Sequence, residues 1–296
     1  MSNATEGLRR KIASAGDLQG VVRTMKTLAA SNIAQYERSG RALADYYRTV
    51  ELGLVACFRD SGIAAVSATA VIQRPPTVGA GTVEAVVLGS DQGMVGQFND
   101  VVVEAVIRHL ADAAGRHRIW AIGERVAARL ADAGLTPVRL FPVPHSVAGI
   151  GPRMAQILVA INPSPETGGG LLLFYNRPVA GAAYAAVTQR VLPLDENWYR
   201  KLAGTPWPTH NLPEVLGHGT STTQALIREF LLISLFRACA ESLASENASR
   251  LAAMERADRN IDELLTSLKG TFHRLRQSDI DEELFDVIAG FEGCVR

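Results

Sequence analysis

The sequence predicts an α+β / α/β chain in which helices at its two ends form a long antiparallel coiled coil and an α/β domain is inserted between them. Three observations predict it. Apolar residues recur in steps of three and four near the start, from Leu8 to Tyr36. Residues 220–269 contain neither glycine nor proline and keep helical spacing throughout. Between these ends, strand-like apolar runs alternate with helical stretches, the signature of a mostly parallel sheet covered by helices.

The first helix is expected over residues 1–60. Leu8, Ile12, Ala15, Leu18, Val22, Met25, Ala29, Ile33 and Tyr36 line one face. Gly16 and Gly20 weaken it by about 1 kcal/mol each relative to alanine, so a partner must hold it. The glycines and prolines of 61–81 read as a linker.

The α/β domain is expected over 82–200. "TVEAVVLGSD" (82–91), "RIWAIG" (118–123), "PVRLFPV" (137–143), "GLLLFYN" (170–176) and 187–191 are candidate strands. Helices are expected over 99–114, 124–133 and 152–160, and 201–219 reads as a second linker.

The last helix is expected over 220–296. Leu251, Met254, Asp258, Ile261, Leu265, Leu268, Phe272 and Leu275 form a heptad seam with one polar intruder. Upstream the seam turns small, with Ala240, Ala244, Ala248 and Ala252. At about 1.5 Å per residue, residues 221–290 would span about 105 Å, and the first segment about 80 Å. A compact domain about 40 Å across cannot cover such a seam. Each long helix therefore needs the other.

Composition excludes several classes of function. Lys+Arg and Asp+Glu are both 30, so no net charge points to nucleic acid. Residues 1–60 carry nine basic and six acidic side chains, whereas 219–296 carry nine and thirteen, a mild attraction between the ends. Cys57, Cys239 and Cys294 lie far apart, with no CxxC, which suits a reducing compartment. No secretory leader is expected, because Arg9-Arg10-Lys11 precedes no apolar core of about 7 to 15 residues. No membrane span is expected either.

The chemistry-bearing candidate is the loop "LGSDQGMVGQFND" (88–100), with Ser90, Asp91, Gly93, Gly96 and Asn99. It joins a strand to a helix, where phosphates often bind. Its spacing is neither GxGxxG, nor a P-loop, nor GxSxG. The plainer reading is a turn that packs closely or meets another protein. The histidines show no HxxxH or HExxH spacing, so neither metal nor cofactor is expected. Ile280, Leu284, Val287 and Phe291 carry an apolar stripe past the acidic run 279–286, and an apolar helix end of this kind implies an enclosing partner.

These residues resemble the γ subunit of F-type ATP synthases. Ile12, Ser14, Met25, Ala29, Ala30 and Ser31 match its N-terminal helix. Residues 89–99 resemble its T-S-D-x-G-L-C-G-x-x-N loop. Glu241, Ser242, Ala244, Ser245, Glu246, Arg250, Ala253, Met254, Ala257 and Asn260 fall on its E-S-x-A-S-E-x-x-x-R-M-x-A-M-x-x-A-x-x-N pattern, and Arg276-Gln277 with 280–284 on R-Q-x-x-I-T-x-E-L. Gly20, Asn32, Gln92, Asp281 and Phe291 depart from it, which marks a divergent member of the kind found in an alternative, N-ATPase-like complex. The resemblance implies a Rossmann-like inserted domain and a rotor shaft, without a catalytic residue of its own, that couples ion flow to ATP synthesis or hydrolysis. Implied partners are the α and β subunits, the ε subunit and the c-ring, in one copy and peripheral to the cytoplasmic face of a bacterial inner membrane. Met25, Lys26, Arg276, Gln277, Asp281, Glu283 and Phe291 would meet the α/β hexamer. Two other readings stand beside it: a nucleotide-binding enzyme using the 88–100 loop with helical dimerisation arms, and a self-associating coiled-coil scaffold.

Overall fold

The computed structural model describes residues 3–68, 82–111, 116–162, 170–179, 182–192, 202, 205, 207–211, 213–215 and 219–294; at 3, 60–68, 182, 219–220, 286 and 289–294 it describes the backbone alone. The chain divides into two compact units. One comprises Met1–Ala30 with Arg250–Arg296, and the other Ser31–Ser249. Much of the expected linkers at 61–81 and 201–219 lies outside the described residues.

In chain order the elements are α1 (Asn3–Ala68), β1 (Val83–Leu88), α2 (Phe98–Ala111), β2 (His117–Ile122), α3 (Glu124–Asp132), β3 (Arg139–Phe141), α4 (Val147–Ile161), β4 (Leu171–Val179), β5 (Ala182–Leu192) and α5 (Gly219–Cys294). The sheet order is β3-β2-β1-β4-β5. The pairs β1–β2, β1–β4 and β2–β3 are parallel, and β4–β5 is antiparallel. Mostly parallel is thus the right description, with an antiparallel edge.

The strands are apolar on both sides because both faces of the sheet are covered. Alternation assigns the faces. Val86, Leu88, Trp120, Ile122, Leu171, Leu173 and Tyr175 enter one core, with Ile150, Met154, Ile157 and Ile161 of α4. Val50, Leu54, Val55 and Phe58 of α1 and Ile227, Phe230 and Leu231 of α5 share that core. Ala85, Val87, Ile119, Ala121, Leu172 and Phe174 face the other side, where Val102, Val103 and Val106 of α2 and Val126 and Leu130 of α3 pack. Each fully buried large side chain is worth about 1.5–3 kcal/mol. The sheet is therefore fixed on two sides, and one of those sides is the helix pair itself.

Helix α4 begins earlier than its proline suggests. Proline favours the first position of a helix, which puts the start at Pro152. The helix instead begins five residues sooner, at Val147, and Ser146 caps it, accepting from the Gly149 N–H at 3.3 Å. Asn162 ends it in the left-handed region at φ 40°, which asparagine tolerates better than most residues.

In the unit of Met1–Ala30 with Arg250–Arg296, α1 and α5 close a seam. Ala15, Val22, Met254, Ile261 and Leu265 are its buried centre, flanked by Ile12, Met25, Ala253 and Ala257. The seam is more polar than the apolar count implies. Leu18 is 54% exposed. The inward position goes to its neighbour Gln19, whose Nε2 donates to Asp258 Oδ1 at 3.1 Å and Asp262 Oδ1 at 2.7 Å. The heptad therefore runs Leu8, Ile12, Ala15, Gln19, Val22, Lys26, Ala29, in steps of four and three. Arg23 also reaches Asp258, at 3.2 Å.

Candidate functional site

Strand β1 lies between β2 on one side and β4 on the other, so the chain reverses its build direction there. Ligands of open α/β sheets bind at such switch points, outside the strand ends. The loop 89–97 fills this place. Gly89 and Gly123 let two chain segments touch. A Cβ on Gly89 would lie 2.3 Å from Val126 Cβ and 2.6 Å from Asn99 Oδ1. Gly123 has φ 116°, and a Cβ there would lie 2.8 Å from the Ser90 carbonyl oxygen. No other residue fits either position.

The loop is closed by its own side chains. Ser90 is fully buried. Its N–H donates to Asn99 Oδ1 at 3.0 Å, Asn99 Nδ2 donates to Ser90 Oγ at 2.9 Å, and Ser90 Oγ donates to the Gln92 carbonyl at 2.9 Å. Asp91 Oδ1 accepts from the Glu124 N–H, the first amide of α3, at 3.0 Å, and Oδ2 from the Val143 N–H at 2.9 Å. A carboxylate thus sits where the positive end of a helix would receive a phosphate. Gly96 takes φ 56°, and Met94 takes φ 60° with its side chain exposed. Gly93 is half-buried, and a Cβ there would meet Arg125 Nη2 at 3.9 Å, an ordinary contact. The five loop residues singled out in the sequence are brought together, as a packed turn.

A polar row on α5 meets this region. Ser249 Oγ donates to the Val95 carbonyl in the loop at 2.5 Å. Ser245 Oγ lies 3.1 Å from the Asn176 carbonyl in β4 and 2.9 Å from the Glu241 carbonyl in its own helix. Glu241 takes Arg177 Nε on Oε2 at 2.6 Å and Arg237 Nε on Oε1 at 2.8 Å. Arg177 also donates to Tyr175 Oη at 2.6 Å. Burial, then the Glu241 charge, raises the Tyr175 phenol above its usual range. Burial pulls the Arg177 guanidinium down, but its bonds to Glu241 and Tyr175 outweigh this and hold it raised. Both arginines and Glu241 line a groove of about 520 Å³ with Tyr36 and Tyr47. Cys239 is fully buried nearby, and burial, then the Glu246 charge, pushes its thiol well above the ordinary range.

The remaining sequence candidates lie on the helix pair. Met25 is half-buried against the seam. Lys26 Nζ stands 3.9 Å from Glu255 Oε1, with about two fifths of its side chain exposed. Arg259 Nε donates to the Glu255 carbonyl at 3.3 Å within the helix. Arg276, Gln277, Asp281 and Glu283 are exposed on α5. Ile280, Leu284, Phe285 and Val287 are also exposed, at 52–69%. Thr5, in the first turn of α1, bonds Asp279 at 2.9 Å, so α5 runs on past the start of α1. Phe291 lies on the α5 backbone, and its side chain is outside the described residues. Sequence reasoning missed Arg177, Tyr175 and Asn176, since nothing local in a strand names its partner on a helix about 65 residues later in the chain. Among the described residues no cluster of His, Cys, Asp and Glu could hold a metal, and no helix is long and apolar enough to cross a membrane.

Comparison with known proteins completes the picture. A family model described as ATP synthase matches residues 4–293. The ATP synthase gamma chain of Methylibium petroleiphilum is 27% identical over 300 residues, covering 97% of this chain and 98% of that one. The gamma chain of an Anaeromyxobacter species is 24% identical over 306 residues, covering 96% and 97%. A cryo-EM structure of the Euglena gracilis mitochondrial ATP synthase rotor superposes with a TM-score of 0.61 at 17% identity, over 94% of this chain and 99% of that chain, which is a likeness of fold. With nearly its whole length matched by one family model, by gamma chains and by the fold of a rotor, the chain belongs to the ATP synthase gamma chain family.

Proposed function

We propose that the chain is the central-stalk rotor subunit of an F-type ATP synthase, a non-catalytic subunit that couples rotation of a membrane ion-driven ring to ATP synthesis or hydrolysis in an α/β hexamer. One observation carries the reading: the two ends of the chain zip together through one seam, Ile12 to Met25 against Ala253 to Leu265, while the α/β sheet is inserted between them in the chain. An enzyme places its chemistry at the switch point. Here that place is filled by Asp91 and Asn99.

The chain has no catalytic site of its own on this reading, and its work is mechanical. Its partners are the α and β subunits, the ε subunit and the c-ring. It sits as a single copy, peripheral to the cytoplasmic face of a bacterial inner membrane. Met25, Lys26, Arg276, Gln277, Asp281, Glu283 and Phe291 approach the hexamer. The exposed apolar residues Ile280, Leu284, Phe285 and Val287 support an apolar sleeve around the end of α5.

The test is a mild-detergent pull-down of the tagged chain from its own membranes, with subunit ratios by mass spectrometry. Recovery with about three copies each of two ATPase-like subunits and a small membrane ring protein is expected for a sixfold head turned by one shaft. Recovery alone, or only with further copies of itself, would overturn the reading in favour of a scaffold.

A further inference from the structure

We propose that Glu241, Ser245 and Ser249 form a key on α5 that locks the shaft helix to the α/β domain against slip when torque passes between them. The proposal rests on the rotor reading above and names the residues that carry its load.

Most of the contact between α5 and the domain is apolar, and apolar attraction has no preferred direction. Around the key the buried side chains of α5 are largely small: Ala238, Cys239, Ala240 and Ala244. Small side chains interdigitate little, so such a surface resists separation better than it resists sliding. The directional bonds lie in one row. Residues 241, 245 and 249 are four apart. Each step rises about 6 Å and turns about 40° around the helix, so the three bonds stand along about 12 Å of one side.

Each bond reaches a different part of the domain. Glu241 holds Arg177 near the end of β4, Ser245 shares its one hydroxyl hydrogen between the Asn176 carbonyl inside β4 and the Glu241 carbonyl of its own helix, and Ser249 donates to the Val95 carbonyl in the loop after β1. Two of the three acceptors are main-chain carbonyls, which no rotamer change can move. They are also tied to one another. Asn176 Nδ2 donates to the Phe98 carbonyl at 2.8 Å, and Asn99 closes the loop onto Ser90. The strand and the loop therefore move as one block. Advancing α5 by one residue would turn its face by about 100° and break all three bonds together. The row thus opposes both sliding along the helix and rotation about it.

The experiment uses the assembled complex in sealed vesicles and compares Ser245→Ala/Ser249→Ala, Arg177→Ala and Arg177→Lys with wild type. Thr49→Ala serves as a control, because its hydroxyl bonds only within α1, to the Asp45 carbonyl. ATP hydrolysis is measured without a gradient, and ions pumped per ATP against a rising gradient. The double variant should keep its subunits and its unloaded hydrolysis. Its pumping ratio should fall about threefold or more as the gradient rises, the effect one net hydrogen bond has on an equilibrium. Arg177→Ala, which leaves Glu241 its second partner Arg237, should fall in the same load-dependent way, and Arg177→Lys should recover much of the loss. A pumping ratio equal to wild type at every gradient would overturn the key. So would a loss independent of load, since that is the mark of mere destabilisation. If the wild-type chain assembles with no hexamer and no ring, the rotor reading itself has failed, before any variant is compared.

Discussion

Asp91 spans two backbone amides from different crossovers, Glu124 at the start of α3 and Val143 beyond β3. Replacing it with alanine strands both donors, and bonds to a charged group are worth about 1.5–3 kcal/mol. Asp91→Ala should therefore lose about 2 kcal/mol of stability, visible as a lower thermal midpoint; an unchanged melt would show that the two amides find water instead. Gly89→Ala acts by crowding, with its Cβ driven into Val126 and Asn99. Overpacking of this kind costs about 1–3 kcal/mol. Tyr47 contributes a pH dependence. Burial, then the neighbouring Glu51, raises its phenol to about 12, from the ordinary tyrosine value of about 10. The folded chain keeps that proton where the unfolded chain releases it. Stability is thus complete below pH 10 and falls between about 10 and 12, by up to about 1.4 kcal/mol per pH unit for this group. Tyr47→Phe should flatten that alkaline fall in urea titrations at stepped pH, and an equally steep fall in the variant would assign the effect elsewhere.

Among the elements, α1 shows what periodicity can and cannot reveal. Gly16 and Gly20 lie on its exposed face, and a Cβ at either meets nothing within 4 Å. Alanine at each should stabilise the helix by about 1 kcal/mol. A higher melting midpoint in Gly16→Ala/Gly20→Ala is the expected result, and a lower one would mean that these positions need glycine for close approach. The existence and order of the sheet elements were legible because a strand buried on both faces is a continuous apolar run. Thus 82–91 became β1 at Val83–Leu88, and 118–123 became β2 at His117–Ile122. The seam of α5 was legible too, with Met254, Ile261 and Leu265 at its centre. Its partner positions were less so. Met25 flanks the seam as expected, but Leu18 does not: α5 presents Asp258 and Asp262 there, so Gln19 turns inward to meet them. Hydrophobicity ranks a residue by its own solvation, and the partner decides which face is inside. The loop was legible as a turn through its glycines, whereas the Asp91 and Ser249 bonds depend on segments far away in the sequence.

For the whole molecule the relevant quantity is coupling, which no single contact contains. Arg276 is exposed on α5, in a run where Asp279, Asp281, Glu282 and Glu283 supply the opposite charge. On the rotor reading it faces the hexamer. Arg276→Glu should leave assembly intact and lower ATP-driven ion pumping about tenfold, the size of a rim charge reversal costing about 1.4 kcal/mol. Equal coupling in variant and wild-type membranes would remove Arg276 from that interface. The seat of Asp91 has a consequence at this same scale. A sheet that held a nucleotide at its switch point would tighten when the metabolite is plentiful and loosen when it is scarce, because a bound ligand stabilises in proportion to the logarithm of its concentration. A carboxylate built into the chain is present at a fixed local concentration. On the rotor reading, the stiffness that Asp91 lends to this switch point then does not vary with the energy charge of the cell, and this part of the mount stays indifferent to the very ATP and ADP levels that the machine sets.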